Sequence, residues 1–215
     1  MTHPLVNKTK ISQFNRIVSK FRYGLVLQVI RNQLAKIGIE ITPFYWVQEG
    51  INYLEEPKIE GLASEYKVEF LNAADMKMVV DNARGYTEKD LLSRLDEGKL
   101  CLGLKHFDNV VAFFWINMQE CDFKPTIIPM EKEEVYLKDM YIIEPYRGKN
   151  LAAYFRYQSY GILKKMGRVK IFSVVEYFNT SATKFKLKLN PKKLKFVIFI
   201  GIFNKLKWCY TIKTY

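Results

Sequence analysis

Apolar side chains recur at intervals of three and four between residues 12 and 37, as Phe14, Ile17, Val18, Phe21, Leu25, Val29 and Ile30, with Arg16, Lys20, Arg22 and Arg31 between them. That spacing gathers the apolar groups on one stripe of an amphipathic helix ending near Gly38. Residues 41–64 hold Pro43, Pro57 and scattered acidic groups without a sustained period, which predicts a connecting segment and a domain boundary. Beyond the boundary the pattern becomes regular. Residues 65–71 alternate as a strand, and 74–82 and 87–97 repeat as helices, with Thr87 and Asp90 spaced as a capping box at the start of the second. Residues 100–105 and 110–117 form a predicted hairpin turning at Asp108-Asn109. A loop with Pro125 and Pro129 leads to a strand at 134–143, a helix at 150–166, a strand at 170–175, a helix at 179–188 and strands near 195–203 and 208–212.

The order is strand, helix, helix, three strands, helix, strand, helix and two strands, which predicts an α/β (α+β) domain with one mixed sheet and flanking helices. A chain of 215 residues, 49% of them hydrophobic, can bury one substantial core with a helical appendage. The expected division is therefore 1–64, the helix and its connection, and 65–215, the sheet domain.

Charge sharpens this picture. The net +12 is concentrated at the end of the chain, where residues 164–215 carry 13 basic groups against Glu176 alone. Such a field attracts anions: nucleotide phosphates, nucleic acid, anionic lipid headgroups or an acidic carrier protein. The three cysteines, Cys101, Cys121 and Cys209, have no paired metal-ligand spacing, so no metal site is expected, and their odd number fits a reducing compartment such as the cytoplasm. The longest apolar run, residues 196–203, suits a buried strand and is too short to span a membrane.

The chemistry concentrates in residues 139–152, where a strand runs into a glycine-containing turn and then a helix. Main-chain N–H groups at a helix start, together with the helix dipole, suit a phosphate or diphosphate, and Arg147 and Lys149 add charge-assisted hydrogen bonds. No Gly-Lys-Ser/Thr follows at P-loop spacing and Gly-x-Gly is absent, which removes the two commonest nucleotide-binding fingerprints.

Arg147-Gly148-Lys149-Asn150-Leu151-Ala152 resembles the diphosphate loop of the GNAT superfamily of acyl-CoA N-acyltransferases, Arg/Gln-x-x-Gly-x-Gly/Ala between the fourth sheet strand and a helix. Asn150 stands where the motif has its first glycine, and Asn tolerates a left-handed backbone. Asn179, Ala182 and Phe185 match a second family pattern, whereas the family's tyrosine that protonates the departing thiolate falls at Lys186, and its closing Gly-Phe falls at Asn190-Pro191.

The resemblance covers residues 65–200 and implies a bacterial enzyme with a central sheet of about six to seven strands, using acetyl-CoA or another acyl-CoA. It implies cofactor binding by Met140 and Ile142 through strand backbone, by Arg147, Gly148, Lys149, Asn150, Leu151 and Ala152 at the loop, and by Asn179. Catalytic candidates are Glu134 and Asp139 as proton acceptors, with Tyr177 nearby. The expected acceptor is a small-molecule amine such as an amino sugar or glycan precursor. An alternative is a long-chain N-acyltransferase fed by an acidic acyl carrier protein docking on Lys184, Lys186, Lys188, Lys192, Lys193 and Lys195. A second alternative is a non-catalytic basic module gripping nucleic acid, disfavoured because aromatic residues at strand spacing usually pack a core. Residues 12–37 could also make a peripheral contact with the inner membrane.

Overall fold

The computed structural model describes residues 25–50, 55–123 and 125–215. The expected first helix is seen as α1 (Leu25–Lys36), and its part at residues 12–24 lies outside the described residues, as does much of the proposed membrane contact. Ten strands follow in order, β1 (Ile39–Glu49), β2 (Tyr66–Leu71), β3 (Leu100–His106), β4 (Asn109–Asn117), β5 (Glu120–Phe123), β6 (Thr126–Pro129), β7 (Glu134–Ile142), β8 (Lys170–Glu176), β9 (Lys192–Ile202) and β10 (Leu206–Thr214). The further helices are α2 (Ala73–Asn82), α3 (Glu88–Asp96), α4 (Leu151–Lys165) and α5 (Thr180–Leu187). No described helix is long and apolar enough to cross a membrane.

The main sheet is mixed and eight-stranded, in the order β10-β9-β1-β8-β7-β4-β3-β2, one strand more than the six to seven expected. Among the described residues, only the neighbours β7 and β8 run parallel, joined through α4, and the short β5–β6 hairpin stands apart. The additional strand is β1, which occupies part of the stretch expected to be a connection. It pairs antiparallel with β8 on one side and β9 on the other. Pro43 is tolerated within it because its carbonyl accepts from the Tyr177 N–H (2.9 Å), so its ring lies toward the end of β8, just past the first paired residue, Phe44.

Helices cover both faces of the sheet, so β4 is buried continuously from Val110 to Asn117 and lacks a polar face. Phe113 and Trp115 point toward α2 and α3, where they meet Met76, Val79 and Leu91. Ala112, Phe114 and Ile116 point toward α4, where they meet Leu151, Phe155 and Leu163. Asn72 and Asp75 form a reciprocal cap on α2, and Thr87 accepts the Asp90 N–H (3.2 Å) at the start of α3. The β3–β4 hairpin turns one residue earlier than predicted, at Phe107-Asp108, with Phe107 at φ 51° and His106 paired with Asn109.

Where β3 pairs with β2, a Cβ added to Gly103 would come within 2.4 Å of the Leu71 side chain. Gly103→Ala is expected to overpack this contact and lower unfolding free energy by about 1–3 kcal/mol in chemical denaturation. An unchanged midpoint would show that Leu71 moves aside freely.

Candidate active site

The geometry of the site begins with a fork between the two parallel strands. Strands β7 and β8 pair only from Glu134↔Lys170 to Leu137↔Ser173. Past that point β7 carries a bulge: Asp139 adopts φ 54°, and the pairing with β4 shifts register between Phe113 and Trp115. Bulges re-aim a strand and release it from its ladder. The fork opens into a cleft of about 1180 Å³ lined on the β7 side by Asp139, Met140 and Ile142 and on the β8 side by Val174 and Glu176.

At the wide end lies the start of α4. The turn before it contains two residues with positive φ, Gly148 at 87° and Asn150 at 63°. A Cβ on Gly148 would meet nothing within 4 Å, so glycine is used there for its backbone freedom. Asn150 adopts the left-handed conformation and does not cap α4 with its side chain. Its amide instead donates to the Lys58 carbonyl (2.6 Å) and its oxygen accepts from the Lys188 ammonium (2.7 Å). The first N–H groups of α4 thus keep their anion-binding capacity at a cleft lined by Asn150, Leu151 and Ala152.

Arg147 donates from Nε to the Ile142 carbonyl (3.0 Å) and lies 5.4 Å from the Tyr141 ring centroid, which fixes the guanidinium at the edge of the cleft. The Lys149 ammonium lies 5.1 Å from the Tyr146 ring, outside the residues that line the cleft. Asn179 caps α5 by accepting the Ala182 N–H (2.9 Å) and also borders the cleft.

The three catalytic candidates separate. Asp139 borders the cleft and pairs with Arg94 (2.8 Å) rather than with Lys138 or Arg147. Glu134 stands at the paired end of β7, eight residues from Ile142, and lies 3.8 Å from Lys170. Tyr177 is half-exposed and packs on Phe178 and Phe196, outside the cleft lining. Among the described residues, no group of three His, Cys, Asp or Glu side chains forms a potential metal set.

Sequence reasoning missed the group at the vertex of the fork. Lys186 projects inward from α5 and is buried, so it is no part of the exposed lysine face assigned to it. Its ammonium bonds both Glu49 at the end of β1 and the hydroxyl of Ser173, the last β8 residue paired with β7. Ser173 also donates to Glu49, and Tyr160 Oη donates to the other Glu49 oxygen (2.8 Å). Arg156 on α4, 1% exposed, approaches Glu49 at 3.7 Å and lies 4.2 Å from the Phe114 ring centroid. Burial opposes the charge of Glu49, yet Lys186 and Arg156 bring its carboxyl down to about 2. Burial and then repulsion from Arg156 bring Lys186 down to about 8, outweighing the pull of Glu49. The sequence signals were the polar residues Glu49 and Lys186 in otherwise apolar packing positions, which only their meeting in space explains.

No known family pattern and no curated protein matches this sequence. Solved structures do. An acetyltransferase from the GNAT family of Colwellia psychrerythraea superposes with a TM-score of 0.56 at 13% identity, over 76% of this chain and 57% of that one. A GCN5-related N-acetyltransferase from Sphaerobacter thermophilus gives 0.54 at 12% identity, over 85% and 56% of the two chains. A GNAT-family acetyltransferase, described as putative, from Novosphingobium aromaticivorans gives 0.50 at 11% identity, over 76% and 66%. This chain thus spans a little over half the length of the first two. The chain has the fold of the GNAT acetyltransferases.

Proposed function

We propose that this protein is an N-acyltransferase that moves an acyl group from an acyl-CoA thioester, acetyl-CoA first, to a small-molecule amine such as an amino sugar or glycan precursor, in the cytoplasm or against the inner membrane. The observation that carries this reading is the fork itself, with an uncapped helix start at its mouth. Diphosphate would bind at the N–H groups that follow Asn150, flanked by Arg147. An extended acyl-carrying arm would then run along β7 past Ile142 and Met140, pairing with the strand backbone that β8 leaves unused. From Ile142 to Leu137 that edge measures about 16 Å at about 3.3 Å per residue.

The thioester then comes to the vertex, and the acceptor amine enters between Asp139 and Glu176, both bordering the cleft. Each of these carboxylates already has a cationic partner, Asp139 in Arg94 and Glu176 in Arg31. Of the two carboxylates the sequence suggested, Asp139 is the proton acceptor, since it borders the cleft and Glu134 sits at the closed end. Attack by the freed amine on the carbonyl carbon breaks the C–S bond without a covalent enzyme intermediate.

Thermal-shift titration tests the reading. A ligand that binds only the folded state at a hundredfold excess over its Kd adds about 2.7 kcal/mol, so coenzyme A and acetyl-CoA are expected to raise Tm clearly. Arg147→Ala is expected to weaken coenzyme A about tenfold, the effect of one charge-assisted contact, with little change in the unliganded Tm. Absence of any shift with coenzyme A, acetyl-CoA and longer acyl-CoAs would refute the assignment.

A second reading keeps the fold and changes the donor. Lys184 and Lys188 border the cleft, and Lys192, Lys193 and Lys195 are exposed beyond it, a basic face suited to an acidic acyl carrier protein. A shift produced by acyl carrier thioesters and absent with free acyl-CoA would favour that donor.

A further inference from the structure

The buried group at the vertex of the fork is unbalanced: one carboxylate, Glu49, faces two cations, Arg156 and Lys186. All three are at most 5% exposed. Among the described residues, Arg156 Nε and Nη1 have no hydrogen-bond acceptor although they are shielded from solvent. Buried N–H groups on a cation are expensive to leave unsatisfied, and an excess buried positive charge is more so. Both cations border the cleft. The arrangement is electrostatically complete only when an anion occupies the vertex.

Resting on the acyl-CoA reading above, we propose that Lys186 is a catalytic residue that meets the departing sulfur at this vertex, with Arg156 supporting the negative charge and Glu49 and Ser173 holding the ammonium in place. As the tetrahedral intermediate collapses, the C–S bond breaks and its electron pair goes to sulfur. Sulfur takes a proton from Lys186 Nζ, which leaves coenzyme A as a thiol and Lys186 as a neutral amine. The proton lost by the acceptor amine has gone to Asp139 and then to solvent, and Lys186 regains its own from water once the product departs.

The charges facing Lys186 explain why it, and not its neighbour, gives up the proton. Glu49 from β1 holds it in the ionised form, while burial and Arg156 from α4 oppose that, so the ammonium sits near about 8. A guanidinium is no proton donor in proteins, so the lysine is the acid of the two. The remaining members, Ser173 from β8 and Tyr160 from α4, are neutral hydrogen-bonding groups at neutral pH, and Tyr160 is pushed further up by burial. The two opposed shifts on Glu49 and Lys186 also imply that this pair adds little net stability, as is common for buried ion pairs.

The test compares coenzyme A with desulfo-coenzyme A, which lacks the sulfur, by calorimetric titration of the full chain between about pH 6 and about pH 9. Coenzyme A is expected to bind about tenfold tighter, the effect of one charge-assisted hydrogen bond to the thiolate. The advantage grows as the thiol ionises with rising pH and falls above about 8 as Lys186 loses its proton. In Lys186→Met it vanishes. That variant is expected to fold, because Glu49 then faces Arg156 alone, and the comparison within the wild-type chain stands even if it does not. Equal affinities in the wild type, or a sulfur preference that Lys186→Met retains, would overturn the role of Lys186 while leaving the coenzyme reading intact. Failure of both ligands to bind would remove the coenzyme reading and this one together.

Discussion

A chain shortened to residues 65–215 is expected not to fold. The sequence pattern marks residue 65 as the start of the sheet domain, yet β1 lies before it and is hydrogen-bonded along both edges, from Phe44↔Glu176 to Glu49↔Ile171 and from Ile39↔Ile202 to Gln48↔Lys192. Without β1, strands β8 and β9 face each other across a gap one strand wide. Buried Phe44 and Val47 are lost, Val197 and Phe199 are uncovered, and Lys186 and Arg156 lose their counter-charge. Two bare edges on an apolar sheet also invite intermolecular pairing. The expected outcome is insoluble protein, or soluble protein without a cooperative thermal transition by circular dichroism, whereas the full chain unfolds cooperatively. A fragment 65–215 that melts in one sharp step would show that the eight-stranded sheet does not depend on β1.

Glu49→Ala is expected to lower stability by about 3–5 kcal/mol, the usual result of removing one partner from a buried ion pair and stranding the other. For a chain of this length that is a fall in Tm of about 6–20 °C. Two cations would be left against no carboxylate, so the loss should far exceed that of Lys186→Met. Acid unfolding gives an independent check. The Glu49 carboxyl is held at about 2 in the folded chain against an ordinary 4.5, so the stability it contributes is present above about 4.5 and lost as pH falls toward about 2. Lys186 works at the other end: its folded value of about 8 lies below the ordinary 10.5, so stability rises with pH between them. Denaturant midpoints measured across pH should show an acid limb in the wild type that is clearly shallower in Glu49→Gln, the remainder coming from carboxylates such as Glu69 and Asp122 that lysines also hold below their usual range. A Glu49→Ala protein as stable as the wild type would mean that the cluster is open to water.

The parts of the site that depend on local conformation were legible in the sequence. Asn150 can replace a glycine because its side chain tolerates positive φ, and it does adopt φ 63°. The strand β7, the glycine turn and α4 follow one another between Glu134 and Lys165, so local rules suffice. The element order from β2 onward was likewise visible except for the β5–β6 hairpin, which stands where a Pro-containing loop was expected. The hairpin at Phe107-Asp108 differs by one residue because Phe107, not Asn109, takes the positive φ.

What escaped is non-local. Pro43 is a strand breaker by its chemistry, and its tolerance in β1 depends on where β8 stops, which no window around residue 43 contains. Glu49, Arg156, Ser173 and Lys186 are brought together from four elements and converge on one buried point. Lys186 looks like one more surface lysine in a basic stretch until α5 is placed against the fork. Glu134 and Asp139 share a strand, and only the point where pairing with β8 ends puts Asp139 in the cleft and Glu134 beside Lys170.

The position of β1 also sets the order in which the molecule can be assembled. During synthesis residues 39–49 emerge first among the described strands, but their partners at 171–176 and 192–202 appear some 120 to 160 residues later. At about 5–20 residues per second that is a wait on the order of ten seconds, during which an apolar strand has neither neighbour. Loops this long close slowly. The nascent chain is therefore expected to engage a chaperone until β9 is made, and the sheet closes around its earliest strand last.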